Sequence, residues 1–220
     1  MGWLFDAENW SGATGIPVRL LEHLAYTWLT LLIAAVIAVP LGAYVGHTGR
    51  GGFLIVGLTN GLRALPTMAV LILVVLWAGI GDLPVYTALV LLAIPPIMAG
   101  TYAGIRAVEP ATVDAARGVG MRERAVLLQV ELPNSLPLVF GGFRSAALQV
   151  VATATIAAYV GAGGLGRYVF DGLAFQEYDQ MLGGAVLVAV LAVLVDLVFV
   201  GLQRLTVSPG LRPVGTGGKS

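Results

Sequence analysis

Two glycine-rich stretches of this sequence have spacings that can bind phosphate. The segment GAGGLG at 161–166 fits the dinucleotide pattern G-x-G-x-x-G, and the chain ends in PVGTGGKS at 213–220, close to a phosphate loop. Both motifs need a β-strand before the glycines and a helix after them. A long apolar segment precedes the first motif, and Pro213 stands where the second requires glycine. We therefore expect neither to bind nucleotide, and we interpret the first as a flexible or tightly packed external turn.

One acid and one base lie within long apolar segments. Asp196 is the single charged residue in the segment 181–202, and Arg144 lies in the apolar segment before it. Charged side chains at membrane depth are costly, so they pair with each other or mark a transport route. We favour a structural ion pair between Arg144 and Asp196 over a transport role.

Five other residues of the apolar segments could line a route for a solute. They combine hydroxyl groups, an aromatic ring and a helix-breaking proline: Pro66, Thr67, Thr153, Thr155 and Tyr159. Threonines in membrane helices often bond to their own backbone, and a proline can simply kink its helix. Thr153 and Thr155 are predicted from their hydroxyl groups to line a solute pathway, with backbone bonding as the alternative. For Pro66, Thr67 and Tyr159, a place on the translocation pathway is what a resemblance to betaine and choline permeases implies, since Pro66-Thr67 is similar to their Pro-Ser/Thr pattern. A simple helix kink is the alternative for Pro66.

A polar stretch at 113–133 separates two of the apolar segments. An Asp-Ala-Ala triplet at 114–116 is followed after three residues by Gly120, and after nine more by Val-Glu-Leu-Pro at 130–133. Pro110 and the alanines favour a short helix, which the glycines then end. A helix with small residues at its exposed end could enter a groove on a partner. The alternative is a solvated loop.

A second helix is expected after the turn. Met121, Ala125, Leu128 and Leu132 fall near one face between positions 121 and 132, as in an amphipathic helix. Pro133 cannot donate the next backbone hydrogen bond, so the helix is predicted to stop there.

Composition places most of the chain in a membrane. Of 220 residues, 58% are hydrophobic and 11% are charged, whereas soluble domains have about 25% charged residues. The formal net charge is zero, and no basic stripe suggests nucleic acid. The chain has no cysteine, and its acidic N-terminus lacks the basic region of a cleavable signal peptide.

Crossing the hydrocarbon takes about 20 helical residues. Five segments are long enough, so we predict an all-α membrane protein with spans near 24–46, 53–80, 85–105, 136–160 and 181–202. The predicted organisation is an external segment 1–23, a single membrane domain 24–205 with a cytoplasmic loop 106–135, and a disordered cytoplasmic tail 206–220.

Positive charge predicts the orientation of these spans. Lys and Arg concentrate in cytoplasmic loops, and with the N-terminus outside only Arg19 and Arg167 fall on the external side. The predicted cytoplasmic side then holds Arg50, Arg63, Arg106, Arg117, Arg122, Arg124, Arg204, Arg212 and Lys219, with Arg144 near that surface.

The polar stretch resembles the cytoplasmic signature of ABC importer permeases. That signature is Glu-Ala-Ala, three residues, Gly, nine residues, Ile, any residue, Leu-Pro; here Asp114 replaces Glu and Val130 replaces Ile. The segments IAAYVGAGGLG at 156–166 and LVD at 194–196 are similar to permeases of bacterial glycine betaine, carnitine, choline and proline osmoprotectant importers. The resemblance implies a type I (MetI-like) permease fold in the bacterial cytoplasmic (inner) membrane.

The same resemblance implies an assembly. Two permease subunits, identical or paralogous, would form the pathway across the lipid bilayer. Two ATPase subunits would sit on their cytoplasmic loops, and an external solute-binding protein would deliver the osmolyte. ATP and Mg²⁺ would be bound by the ATPase, so this chain is expected to have no catalytic residue, cofactor or metal of its own. By similarity, the residues that would shape the helix entering an ATPase cleft are Asp114, Ala115, Ala116 and Gly120, and those that would fix its return into the membrane are Leu132 and Pro133.

Other functions remain open at this point. The glycine-rich segment is shared with methionine-type permeases, so an importer for another small solute such as an amino acid is the main alternative. A stand-alone carrier would need more ionisable groups in the spans than Arg144 and Asp196. A purely structural membrane subunit would use its glycines and alanines only to pack helices.

Overall fold

The computed structural model describes residues 2–207, apart from the side chain of Arg63, and all its regular elements in that range are helical. The nine α-helices of this range are α1 Ile16–Thr48, α2 Gly52–Ala64, α3 Thr67–Ala78, α4 Asp82–Arg106, α5 Pro110–Gly118, α6 Glu123–Ala125, α7 Leu132–Ala157, α8 Gly166–Ala174 and α9 Tyr178–Thr206. Three short 3₁₀ segments and a π-helical segment, Val126–Glu131, complete it. The predicted all-α class is confirmed.

Within residues 2–207, four helical segments are long and apolar enough to cross a membrane: Ile16–Thr48, Asp82–Arg106, Glu123–Val160 and Tyr178–Thr206. The segments Gly52–Leu62 and Thr67–Ala78 meet at 92° and form a fifth span if the two halves are one broken span. Pro66 lies at the bend, where its ring and missing N–H prevent a continuous helix.

Helix α4 packs between α1 and α7, and glycines allow the backbones to approach closely. A Cβ added to Gly100 would lie 2.7 Å from the Cα of Gly142, and one added to Gly42 would lie 2.8 Å from the Met98 carbonyl oxygen. In lipid, such contacts gain dispersion energy where apolar burial alone drives nothing. The small residues of the fourth predicted span therefore allow α7 to approach α4 closely.

The first span begins earlier than predicted. Helix α1 starts at Ile16 instead of Leu24, with Gly15 at its N-cap and Pro17 in its first turn. The helix that contains the first predicted span thus includes residues 16–23, and the division into an external segment 1–23 and a membrane domain stays a prediction. At the other end, α9 extends to Thr206, so the predicted tail begins inside the helix, and positions 208–220 lie outside the described residues.

The prediction that a helix stops at Pro133 is wrong. Helical structure runs without interruption from Glu123 to Val160, and Pro133 lies in the first turn of α7. A proline is tolerated there because the backbone hydrogen bonds change from the π pattern to the α pattern at this point. In the first turn of an α-helix, a backbone N–H has no partner within the helix, so proline removes no hydrogen bond.

Candidate functional site

Helix α5 carries the Asp-Ala-Ala triplet and packs against the π segment Val126–Glu131. Val113 and Ala116 are buried against Val126 of the π segment, with Val108, Met121 and Val130 packed around them. This small apolar cluster is separate from the main core. The helix is thus held on one side only, and its other face is free to meet a partner.

The exposed face of α5 ends in a tip of small and apolar residues. Asp114 and Ala115 are exposed, and Val119, just after the helix, has 81% of its surface exposed. Gly120 follows with φ +85, a left-handed conformation that L-residues with a Cβ rarely adopt. An exposed valine beside two glycines gives an apolar protrusion that another protein surface can enclose closely.

The predicted helix face after the turn is only partly correct. Leu128 was expected to face inward, but 61% of it is exposed, while Val126 and Glu131 are buried. The π segment Val126–Glu131 adds a residue to the turn and so rotates the following positions relative to an α-helix.

Glu131 is held by a histidine from the far end of α1. Its Oε2 lies 2.6 Å from His47 Nδ1, and only 5% of Glu131 is exposed. The other ring nitrogen of His47, Nε2, lies 3.2 Å from Oε2 of Glu123. These contacts, which we call the His47 clamp (His47, Glu123 and Glu131), attach the last turn of α1 to the base of the polar stretch.

An exposed arginine continues the clamp onto α5. The guanidinium of Arg117 donates from Nε and Nη2 to the two carboxylate oxygens of Glu123, both at 3.0 Å. This carboxylate raises the pKa of Arg117 above its ordinary value, so the arginine is charged at any physiological pH. Arg117 Nη1 also lies 3.7 Å from Asp114. A cavity of about 190 Å³ separates α5 from the ends of α1 and α4.

The predicted partners Arg144 and Asp196 lie in contact. Arg144 donates from Nε and Nη2 to the two oxygens of Asp196, both at 2.8 Å. This two-point contact is the strongest geometry available to an arginine and a carboxylate, and it ties α7 to α9.

The five predicted pathway residues do not share one site. The hydroxyl groups of Thr153 and Thr155 bond to backbone carbonyls of their own helix at 2.8 and 3.0 Å. Pro66 and Thr67 lie at the bend between α2 and α3, and Tyr159 is exposed beside Phe170. None of the five lines the cavity of about 570 Å³ that opens between α1, α4 and the glycine-rich segment. That they line the pathway stays a prediction.

The glycine-rich segment is a packed turn. The backbone N–H of Gly164 donates to Glu22 Oε2 at 2.8 Å, and that of Leu165 donates to His23 Nδ1 at 3.3 Å. His23 is fully buried, and its Nε2 lies 3.1 Å from the Val151 carbonyl oxygen. The backbone amides are occupied by side chains of α1, which agrees with a structural turn.

A cavity of about 570 Å³ opens beside this turn, and we call it the outer cavity. Its charged and tyrosine side chains come from α1, α4 and α8: Arg19, Glu22, Tyr26, Asp82, Tyr86 and Arg167. The rise of about 1.5 Å per helical residue puts Tyr26 and His47 about 30 Å apart along α1. The outer cavity and the His47 clamp are thus at opposite ends of the bundle.

The N-terminal segment packs beside the outer cavity. The Trp3 and Tyr168 rings are in edge contact, with centroids 4.8 Å apart. The Tyr168 hydroxyl donates to the Thr14 carbonyl oxygen at 2.6 Å, and burial raises the pKa of Tyr168. These contacts anchor the residues before α1 on α8.

Comparison with known proteins decides the family. Residues 38–209 match the family described as "Binding-protein-dependent transport system inner membrane component". The chain belongs to this family. It is therefore a multi-pass permease of the cytoplasmic (inner) membrane, and the predicted resemblance is confirmed.

Sequence relatives cover nearly the whole permease. It is 32% identical over 202 residues to the carnitine transport permease protein OpuCB of Listeria monocytogenes, which is 92% of this chain and 93% of that protein. It is also 32% identical over 191 residues to the choline transport system permease protein OpuBB of Bacillus subtilis, covering 87% of this chain and 88% of that one.

A solved structure confirms the permease fold. Superposition on an inward-facing form of the MetNI methionine ABC transporter gives a TM-score of 0.76, with 22% identity over 88% of this chain and 97% of that one. The predicted MetI-like fold is therefore confirmed, whereas the positions of the two termini relative to the membrane stay a prediction.

Sequence reasoning did not find the His47 clamp. His47 stood in what the sequence presents as a short polar turn, and Glu131 occupied the variable position of the Val-Glu-Leu-Pro segment. They are 84 positions apart, and no spacing rule joins residues at that distance.

Proposed function

We propose that this permease is the membrane subunit of an ATP-driven importer for a quaternary ammonium osmoprotectant. The observation that carries the proposal is the arrangement of α5: a short helix with an exposed apolar tip, fixed at its base, at one end of a bundle of membrane spans. Such a helix can fit a groove of a partner and transmit displacement to the bundle.

The proposed partner at α5 is an ATPase, one of a pair that binds ATP and Mg²⁺ on separate chains. Asp114, Ala115 and Gly120 would meet its surface, while Ala116 faces the apolar cluster that holds α5. Leu132 and Pro133 begin the helix that re-enters the membrane. This chain would thus do no chemistry itself. Its role is to change shape when the ATPase does.

The proposed orientation puts α5 in the cytoplasm. Arg106, Arg117, Arg122 and Arg124 belong to α5 and the residues flanking it, as expected for a cytoplasmic loop. The opposite end, with the outer cavity, would face the external solute-binding protein. A second permease subunit, identical or paralogous, would complete the pathway.

The substrate class is supported by the relatives. Those at 32% identity are named for carnitine and choline transport, and a third, from Bacillus subtilis, for glycine betaine, carnitine and choline. The alternative substrate is an amino acid such as methionine, but the methionine transporter shares only 22% identity and supports the fold alone. Because osmolyte delivery and ATP turnover act on one two-state bundle, each should stimulate the other.

The test is uptake by the complete complex. The permease is purified with the ATPase and binding protein that accompany it and reconstituted into vesicles. ATP-dependent entry of radiolabelled choline, carnitine or glycine betaine is expected, and methionine should not compete. Uptake without ATP would favour a carrier, and methionine uptake would favour the amino-acid alternative. No uptake by any combination would refute the transport role.

A further inference from the structure

The outer cavity combines two aromatic rings with charges of both signs. The rings of Tyr26 and Tyr86 lie with centroids 5.2 Å apart and 47° between their planes. Asp82 stands beside them, accepting a hydrogen bond of 2.8 Å from the Tyr26 hydroxyl. Aromatic faces next to a carboxylate attract a cation that can be stripped of water.

Arginines provide the opposite charge in the same cavity. Arg19 and Arg167 both line it. Arg19 Nη1 donates to Glu22 at 2.9 Å, while the buried Nε of Arg19 has no hydrogen-bond partner among the described residues. Arg167 also pairs with Asp171 outside the cavity lining, its Nη2 lying 2.8 Å from Asp171 Oδ1. The four charged side chains that line the cavity, Arg19, Glu22, Asp82 and Arg167, sum to zero, so a neutral dipolar molecule disturbs their balance least.

Hydrogen-bond donors of the protein already occupy one oxygen of each of the two carboxylates that line the cavity. Glu22 Oε2 accepts from Arg19 and from the Gly164 N–H, and Asp82 Oδ1 accepts from Tyr26. A primary ammonium carries three N–H groups, and each needs an acceptor when it leaves water. A trimethylammonium group has no N–H to satisfy, so negative charge and aromatic surface suffice for it.

We propose that the outer cavity is a binding site in the permease itself for a small zwitterion with a quaternary ammonium group. The cation would lie against Tyr26, Tyr86 and Asp82, and the ligand carboxylate would face Arg19 and Arg167. About 570 Å³ is within the usual range of small-molecule sites, about 300–1,000 Å³. The inference rests on the proposed function, because it places the site where an external binding protein would release its osmolyte.

The test measures equilibrium binding of radiolabelled glycine betaine and choline to the permease–ATPase complex without the binding protein. Choline has the same cation but no carboxylate. Tyr86→Leu should weaken both ligands about tenfold, whereas Tyr86→Phe, which keeps the aromatic face, should change them less than about twofold. Arg167→Gln should weaken glycine betaine about tenfold and leave choline unchanged.

Tyr178→Leu is the matched control, since Tyr178 is an exposed tyrosine at the start of α9 that does not line the outer cavity. An unchanged Tm and an unchanged elution volume on size-exclusion chromatography show that each variant complex is folded. The inference is overturned if the wild-type complex binds neither ligand, or if Tyr86→Leu and Tyr86→Phe bind alike. Binding with this pattern but without uptake in vesicles would instead refute the proposed function and leave the site in place.

Discussion

The His47 clamp offers the sharpest test of how the polar stretch is fixed. Glu131 is 5% exposed, and His47 is its single side-chain partner among the ion pairs of the described residues. His47→Leu should leave the buried Glu131 side chain without its hydrogen-bond partner. Leaving a buried polar group unsatisfied costs about 1–3 kcal/mol. Taking the upper value, a chain of this size should lose about 6–12 °C in Tm.

The double variant separates charge from packing. Replacing both His47 and Glu131 with leucine removes the orphaned carboxylate, and such apolar replacements of a buried pair are often neutral. The double variant should therefore unfold at a higher temperature than His47→Leu alone. The Tm values of the wild type, His47→Leu and the double variant are measured by thermal unfolding of the purified proteins in one detergent.

Arg117→Gln is the control, because the Arg117–Glu123 pair is solvent-exposed and exposed pairs contribute little. It should hardly change the Tm. If His47→Leu shifts the Tm no more than Arg117→Gln does, or if the double variant is no more stable than His47→Leu, then the buried carboxylate does not depend on His47 and the clamp has no energetic role.

Three further predictions concern α5 and the bundle. Gly120→Val should leave the protein in the membrane but abolish uptake and ATPase stimulation, because valine strains φ +85 at the tip of the loop; Gly118→Val, at a helical glycine with open space around it, should be milder in both assays. Asp196→Asn should lower the folding yield and the Tm by a few degrees, and the double variant with Arg144→Gln should recover part of the loss; unchanged yield with lost transport would make Asp196 a functional residue. Gly142→Leu should lower the Tm more than Asp196→Asn does, since a Cβ at position 142 would lie 2.7 Å from a carbonyl oxygen of α4. A normal Tm would show that α4 and α7 separate easily.

Local rules predicted four of the spans and the short helix α5 well. Apolar length alone located α1, α4, α7 and α9, and Pro110 marked the start of α5. The Arg144–Asp196 contact was also accessible, because few charged residues lie in the spans and a costly charge needs a partner.

The sequence could not predict what depends on helix phase or long-range geometry. The π segment Val126–Glu131 is set by how the polar stretch returns to the bundle, and one added residue is enough to expose Leu128 and bury Glu131. In the same way, the outer cavity brings together Tyr26, Asp82 and Arg167, which come from three separate helices. No periodicity within one helix reports on such a grouping.

The two attachments of α5 have different mechanical consequences. The apolar cluster of Val113, Ala116 and Val126 holds the helix down but is non-directional, so by itself it would let α5 slide. The His47 clamp is directional, and it joins the last turn of α1 to Glu123 and Glu131 in the segment that follows α5. Since α1 continues for about 30 Å to the outer cavity, we expect a partner that displaces this segment also to displace the helix that carries Tyr26. The clamp would then connect the proposed ATPase surface with the proposed osmolyte site, and His47→Leu should weaken that connection even where α5 still binds its partner.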